Sequence, residues 1–107
     1  MKIVYIAHPI SGDIEGNLAD IRRIVRKINM AHKDVVPFVP YYADIVSLDD
    51  TVPEERERGI ANDTAVLRSG CVNEVWLTGN RISTGMQAEK QLAELLQIPV
   101  ISKLNLL

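Results

Sequence analysis

The segment Asn80–Val100, NRISTGMQAEKQLAELLQIPV, reads as a loop, a helix and the start of a strand, with one carboxylate out of pattern. At about 100° per residue, Ala88, Leu92, Leu95 and Leu96 share an apolar stripe. Gln87, Lys90, Gln91, Glu94 and Gln97 gather on the opposite face, while Glu89 falls on the flank of the stripe. A second carboxylate is misplaced on the preceding helix, Thr51–Gly70. There Val52, Gly59, Ile60, Val66 and Leu67 form the apolar stripe, Asp63 lies near its middle and Arg56 comes two turns earlier. Burying an unpaired carboxylate costs several kcal/mol, so something must compensate it. Arg56 and Asp63 could be a buried structural pair, with Glu89 half-exposed. Alternatively, the two carboxylates belong to a site that tunes their protonation. Two such residues on consecutive helices beside one loop edge favour the site.

The loops nearby supply further candidates. Ser83, Thr84 and Gly85 precede the Glu89 helix, where Ser83 or Thr84 can cap it and the first free N–H groups can seat an anion such as phosphate. His8, Ser11 and Gly12 follow the first strand in the stretch HPISGD. This is neither a GxGxxG nor a P-loop sequence, so dinucleotide and P-loop readings are weak. His8 is either an acid/base or ligand contact or a residue that shapes the turn before Pro9. Tyr5 falls mid-strand; its ring belongs in a core, and its hydroxyl could reach the same edge. Trp76 reads as core, His32 as a solvated helix end and Cys71 as a small apolar residue.

These residues need a scaffold, and the pattern predicts one. Lys2–Ala7 is a β-branched run, a buried parallel strand. Asn17 is a candidate cap for a helix to about His32, with Leu18, Ile21, Ile24, Val25 and Ile28 at helical spacing. Asp34–Pro40 is a second strand whose two prolines suggest a sheet edge. Tyr41–Asp50 is a short helix or an ordered loop. Thr51–Gly70 is a helix with a possible Thr51–Glu54 capping box, Pro53 in its first turn and Gly70 at its end. Asn73–Gly79 is a third strand, Ser83–Gln97 a helix and Pro99–Lys103 a fourth strand. Strands alternating with helices imply βαβ crossovers and a parallel sheet with helices on both faces. Ligands bind beyond the carboxyl ends of such strands. HPISGD, VPYYAD and TGNRISTGM therefore converge on one edge.

The 107 residues suit one domain, residues 1–107. The 47% apolar and 24% charged content is ordinary for a globular chain. A net charge of −2 without a Lys/Arg cluster gives no nucleic-acid surface. One cysteine excludes a disulfide framework and a multi-thiolate zinc site, and fits a reducing, cytoplasmic setting. No apolar run approaches the roughly 18–20 residues of a membrane span, and the N-terminal run reads as a strand, not a signal peptide. No metal and no cofactor is expected; few aromatics are present to stack on a flavin.

Three stretches together carry a resemblance: VYIAHPISGD near the start, an Asp on the second major helix, and ISTGMQAE before the last strand. They resemble the nucleoside 2-deoxyribosyltransferase-like superfamily, which includes 2′-deoxynucleoside 5′-phosphate N-hydrolases. LDDTVPEERERG and VWLTGNRISTGMQAE look like a short phage and bacterial branch of it. The resemblance implies a three-layer, flavodoxin-like α/β fold with about four parallel strands in the order 2-1-3-4. It implies cleavage or transfer of the N-glycosidic bond of a (deoxy)nucleoside or its 5′-monophosphate. Glu89 matches the nucleophile, six residues after Ser83; Tyr5 matches a first-strand tyrosine; Asp63 matches an aspartate that contacts sugar or base. Ten residues lead from Asp63 to Asn73, a longer connection than is usual there. If the extra pair lay within the helix, Asp63 would be turned about 200° away. Asn73 stands where the superfamily has an acid, and His8-Pro9 replace glycine-rich residues. His8, Ser11, Gly12, Ser83, Thr84 and Gly85 are the expected substrate contacts. A homodimer or larger assembly is expected, since relatives complete their pockets with a neighbour. Two readings compete: a non-catalytic nucleotide-binding or sensing module of the same fold, and a purely structural flavodoxin-like subunit.

Overall fold

The computed structural model describes residues 1–107. The elements run β1 (Lys2–Ala7), α1 (Ile14–Ala31), β2 (Val35–Phe38), α2 (Tyr41–Ser47), α3 (Pro53–Arg68), β3 (Glu74–Leu77), α4 (Thr84–Leu95) and β4 (Val100–Ser102). The strands form one sheet in the order β2-β1-β3-β4, and every pair is parallel. Tyr5 sits between Phe38 on β2 and Val75 on β3. This is the flavodoxin-like α/β arrangement expected, with β2, the strand holding Pro37, at the edge. The Tyr41–Asp50 stretch is a short helix followed by a loop.

Side-chain alternation along the strands divides the core. Val4, Ile6 and Trp76 pack with Ile24 and Ile28 of α1 on one face. Tyr5, Ala7, Val75 and Leu77 pack on the other with Tyr41 of α2, Leu67 of α3, and Met86 and Ala93 of α4. Leu18 and Ile21, earlier in α1, join this second cluster. The chain runs outward from β1 to β2 and then back past β1 to β3, and with crossovers of one hand this reversal puts α1 on one face and α2 and α3 on the other.

The helix starts differ from two expectations. Asp13, not Asn17, caps α1: its Oδ1 accepts from the Gly16 N–H at 3.0 Å. Asn17 lies one turn inside, and its Nδ2 donates to the Ile10 carbonyl at 2.9 Å, tying the loop after β1 to the helix. The Thr51–Glu54 capping box does not form. Val52 is the N-cap, with Pro53 opening α3, and the Thr51 hydroxyl donates instead to Asp49 Oδ1 at 2.6 Å. Pro53 needs no N–H at the first helical position, so α3 starts without a side-chain cap. Cys71 is exposed and lies against Ser69 Oγ at 2.9 Å, not in the core. His32 ends α1 with its ring edge-on to Trp76, centroids 5.7 Å apart.

No helix is long and apolar enough to cross a membrane. Thr78 and Gly79 then turn the chain out of β3. The Thr78 hydroxyl donates to the Ala7 carbonyl at 2.8 Å. Gly79 takes φ +87°, and a Cβ there would stand 2.8 Å from Pro9 Cδ. The loops after β1 and β3 thus lie against each other because this position carries no side chain.

Candidate active site

A cleft of about 560 Å³ opens where the three loop segments converge. His8 and Ile10 come from the loop after β1; Tyr41, Asp44 and Ile45 come from α2; Ser83, Gly85, Met86 and Glu89 come from α4 and its cap. The fourth wall is α3, which presents Arg56, Gly59, Ile60, Asp63, Thr64 and Leu67 at helical spacing. The face that reads as an apolar stripe in the sequence is therefore a cleft wall. That accounts for Ile60 being 57% exposed while Leu67, deeper along the same face, is buried.

The phase of α4 is also corrected. Ala88 and Leu95 are exposed, and the buried line runs through Met86 and Ala93. Glu89 stands between these two at i+3, on the inward side of the helix and not on its flank. Ser83 is the N-cap: its Oγ accepts from the Met86 N–H at 3.2 Å. This cap fixes the first turn and so the direction of Glu89.

Tyr5 lies directly behind Glu89. It is fully buried in β1, and its hydroxyl donates a hydrogen bond to Glu89 Oε2. The Tyr41 ring tilts beside it, centroids 5.9 Å apart, and the Tyr41 hydroxyl donates to the Ile6 carbonyl. Burial raises the Glu89 carboxyl to about 7, the Tyr5 hydrogen bond opposes the rise, and the nearby Asp63 charge adds to it. Burial likewise raises Asp63 to about 7, helped by the negative charge of Asp44. Burial, then the charges of Glu89 and Asp63, push the Tyr5 phenol far upward, so it stays a donor. One Asp63 oxygen, Oδ1, is buried without a hydrogen-bond partner. Arg56 makes no ion pair with Asp63; the four ion pairs are Lys2–Glu74, His8–Asp20, Arg23–Asp20 and Lys90–Glu94.

The structure thus brings Glu89, Asp63 and Tyr5 together, with Asp63 on the cleft wall and five residues between the end of α3 at Arg68 and the start of β3 at Glu74. Asn73 itself accepts the Ile3 N–H through Oδ1 at 2.7 Å, away from the cleft. Among the expected contacts, His8, Ser83 and Gly85 line the cleft, whereas Ser11, Gly12 and Thr84 do not. His8 is committed elsewhere: Nδ1 meets the Pro9 carbonyl at 2.7 Å and Nε2 meets Asp20 Oδ2 at 2.8 Å. No ring nitrogen is left for a ligand, so His8 shapes the wall. Asp44 is a cleft residue that sequence reasoning missed. It accepts from Asn62 Nδ2 at 3.2 Å and packs beside Gly59 of α3. No group of three His, Cys, Asp or Glu side chains is placed to hold a metal ion.

Residues 2–103 match a single family profile. The chain belongs to the family described as a domain of unknown function, DUF7768. No curated protein sequence matches it. Among solved structures it is similar to a 2-deoxyribosyltransferase from Bacillus psychrosaccharolyticus, at 16% identity and TM-score 0.63. That match covers 98% of this chain and 75% of the other. It is similar as well to a 2-desoxiribosyltransferase from Leishmania mexicana, at 17% identity and TM-score 0.62. There 97% of this chain and 65% of the other are covered. At such identities the likeness establishes the shared fold. This DUF7768 domain thus has a parallel flavodoxin-like sheet and, at the carboxyl ends of its strands, a cleft with two carboxyls of raised proton affinity.

Proposed function

We propose that this domain cleaves or transfers the N-glycosidic bond of a (deoxy)nucleoside or its 5′-monophosphate, with Glu89 as nucleophile. The observation that carries the reading is the Tyr5–Glu89 hydrogen bond behind a cleft shared with Asp63, on a fold similar to that of two 2-deoxyribosyltransferases. Glu89 attacks C1′ as the bond from C1′ to the base nitrogen breaks, and the bonding pair leaves with the base. Positive charge gathers at C1′ in this step, and an anionic carboxylate beneath the sugar stabilises it. Asp63, protonated at its raised value, gives its proton to the departing base. Water or a second base then attacks C1′, Glu89 leaves as carboxylate, and Asp63 takes the incoming nucleophile's proton. Tyr5 holds one Glu89 oxygen so that the other faces the sugar. His8, Ser83 and Gly85 shape the substrate's surroundings.

The fact that Glu89 forms no salt bridge fits this reading better than a structural role. Incubation with a panel of nucleosides and 5′-monophosphates, alone and with a second base, tests it. Free base alone marks a hydrolase, and an exchanged nucleoside marks a transferase. Base release should trace a bell with its maximum near pH 7, because Glu89 must be ionised and Asp63 protonated. The two limbs belong to the coupled pair and not to either residue. No base release from any member of the panel would leave a nucleotide-binding module.

A further inference from the structure

We infer that the cleft takes a nucleoside with an uncharged 5′ end and turns away the 5′-monophosphate. The inference rests on the glycosidic reading above and narrows its substrate class. Six acidic side chains, Asp44, Asp49, Asp50, Glu55, Asp63 and Glu89, line the cleft against one guanidinium, Arg56, and with Asp63 holding its proton the carboxylates still outnumber that cation. None of the six takes part in an ion pair. His8 is the other basic residue on the wall, and both its nitrogens are engaged by Pro9 and Asp20. It has no N–H to give a phosphate.

The groups that would cradle a phosphate are placed elsewhere. Ser11, Gly12 and Thr84 lie outside the lining, and so does Arg81, whose Nη2 leans on the Ser11 carbonyl at 3.4 Å. The Ser83 hydroxyl is occupied as the cap of α4. The first N–H groups of α4 remain free of helical partners, yet an anion seated there would face Glu89 one turn along the same wall. The buried Asp63 Oδ1 has no donor of its own. A cleft lined by one sign of charge between poorly polarisable walls concentrates its field. A phosphate dianion meets repulsion there, whereas sugar hydroxyls and base amino groups can donate to the carboxylates.

Calorimetric titration of the Glu89→Gln protein, which cannot turn over by this route, provides the test. The probes are matched pairs, 2′-deoxyadenosine, 2′-deoxycytidine and thymidine, each against its 5′-monophosphate. Low ionic strength keeps screening weak. The nucleoside of at least one pair should bind roughly tenfold tighter or more, about 1.4 kcal/mol. Adding Asp50→Asn and Glu55→Gln should narrow that ratio several-fold; an unchanged ratio removes the electrostatic basis. Equal or tighter binding of the monophosphate overturns the inference, the more so if Arg56→Gln abolishes it, and leaves the glycosidic reading standing. Binding of neither member of any pair takes away that reading and this inference with it. A second arm needs no nucleoside: inorganic phosphate at millimolar concentration should not shift the Thr84 and Gly85 amide resonances. A saturable shift there would mark the anion seat that the inference denies.

Discussion

Glu89→Gln separates a nucleophile held at a cost from a carboxylate that holds the fold together. The Glu89 carboxyl is raised from 4.5 to about 7, chiefly by burial. The folded protein therefore keeps a proton here that the unfolded chain has already lost, so stability falls as pH rises across this interval. Each tenfold gain in proton affinity corresponds to about 1.36 kcal/mol, so the full interval amounts to about 3 kcal/mol, and solvent at the cleft reduces this to about 2 kcal/mol. Glutamine resembles the protonated form and still accepts from Tyr5. At pH 4 the two proteins should therefore unfold at nearly the same denaturant concentration. The variant should gain stability between pH 4.5 and 7, and at pH 8 it should melt roughly 10 °C higher for a chain of this size. Base release should fall by about three orders of magnitude or more. Urea unfolding at several pH values, with base release measured on the same samples, gives both results. A variant less stable at pH 8, or a stability difference that ignores pH, would show that Glu89 serves the fold and would sink the nucleophile assignment.

Three further outcomes follow from the same geometry. Tyr5→Phe removes the hydrogen bond that holds the Glu89 value down, so the rise of base release on the acid side should move to higher pH; an unmoved limb would mean that Tyr5 does not orient Glu89. Gly79→Ala forces a Cβ to within 2.8 Å of Pro9 Cδ at φ +87°, and chemical denaturation should show a loss of about 2 kcal/mol or more. Light scattering at micromolar concentration should find a dimer or larger species, because Met30, Val46, Ile60 and Leu95 leave apolar surface that is 59%, 62%, 57% and 75% exposed.

The element types are legible in the sequence because local signals agree, whereas the strand order is implied by the family resemblance and not by the pattern. The β-branched run Lys2–Ala7, the turn residues after it and the 3.6-residue spacing from Leu18 to Ile28 each point to one conformation. The edge position of β2 follows from a ladder that Pro37 cannot complete with its own N–H. The caps are harder to read. Asp13 and Asn17 are both good N-cap residues, and the choice depends on whether the loop after β1 needs the Asn17 side chain at the Ile10 carbonyl. That need comes from the packing of His8 and Pro9 against Gly79, residues distant in the chain. Likewise, Thr51 cannot cap α3 while its hydroxyl is held by Asp49.

The site is legible only where polarity conflicts with periodicity. Glu89 and Asp63 stand out because each interrupts a stripe of apolar residues, although the inward line of α4 runs elsewhere than its leucines suggest: Ala88 looks inward from sequence and is exposed. Asp44 gives no such conflict. On a seven-residue helix with mixed residues it looks like a solvated acid, and its place beside the cleft follows from the meeting of α2 and α3 at Gly59. The same reasoning explains why α3 misleads. A helix whose inner face bounds a solvent-filled cleft need not be apolar there, so Arg56, Ile60, Asp63 and Thr64 share one face without forming a core. Amphipathic spacing identifies the inward face, but it does not say whether that face meets side chains or a ligand. What distinguishes the two is a buried acceptor left without a donor, and at Asp63 the fold supplies one.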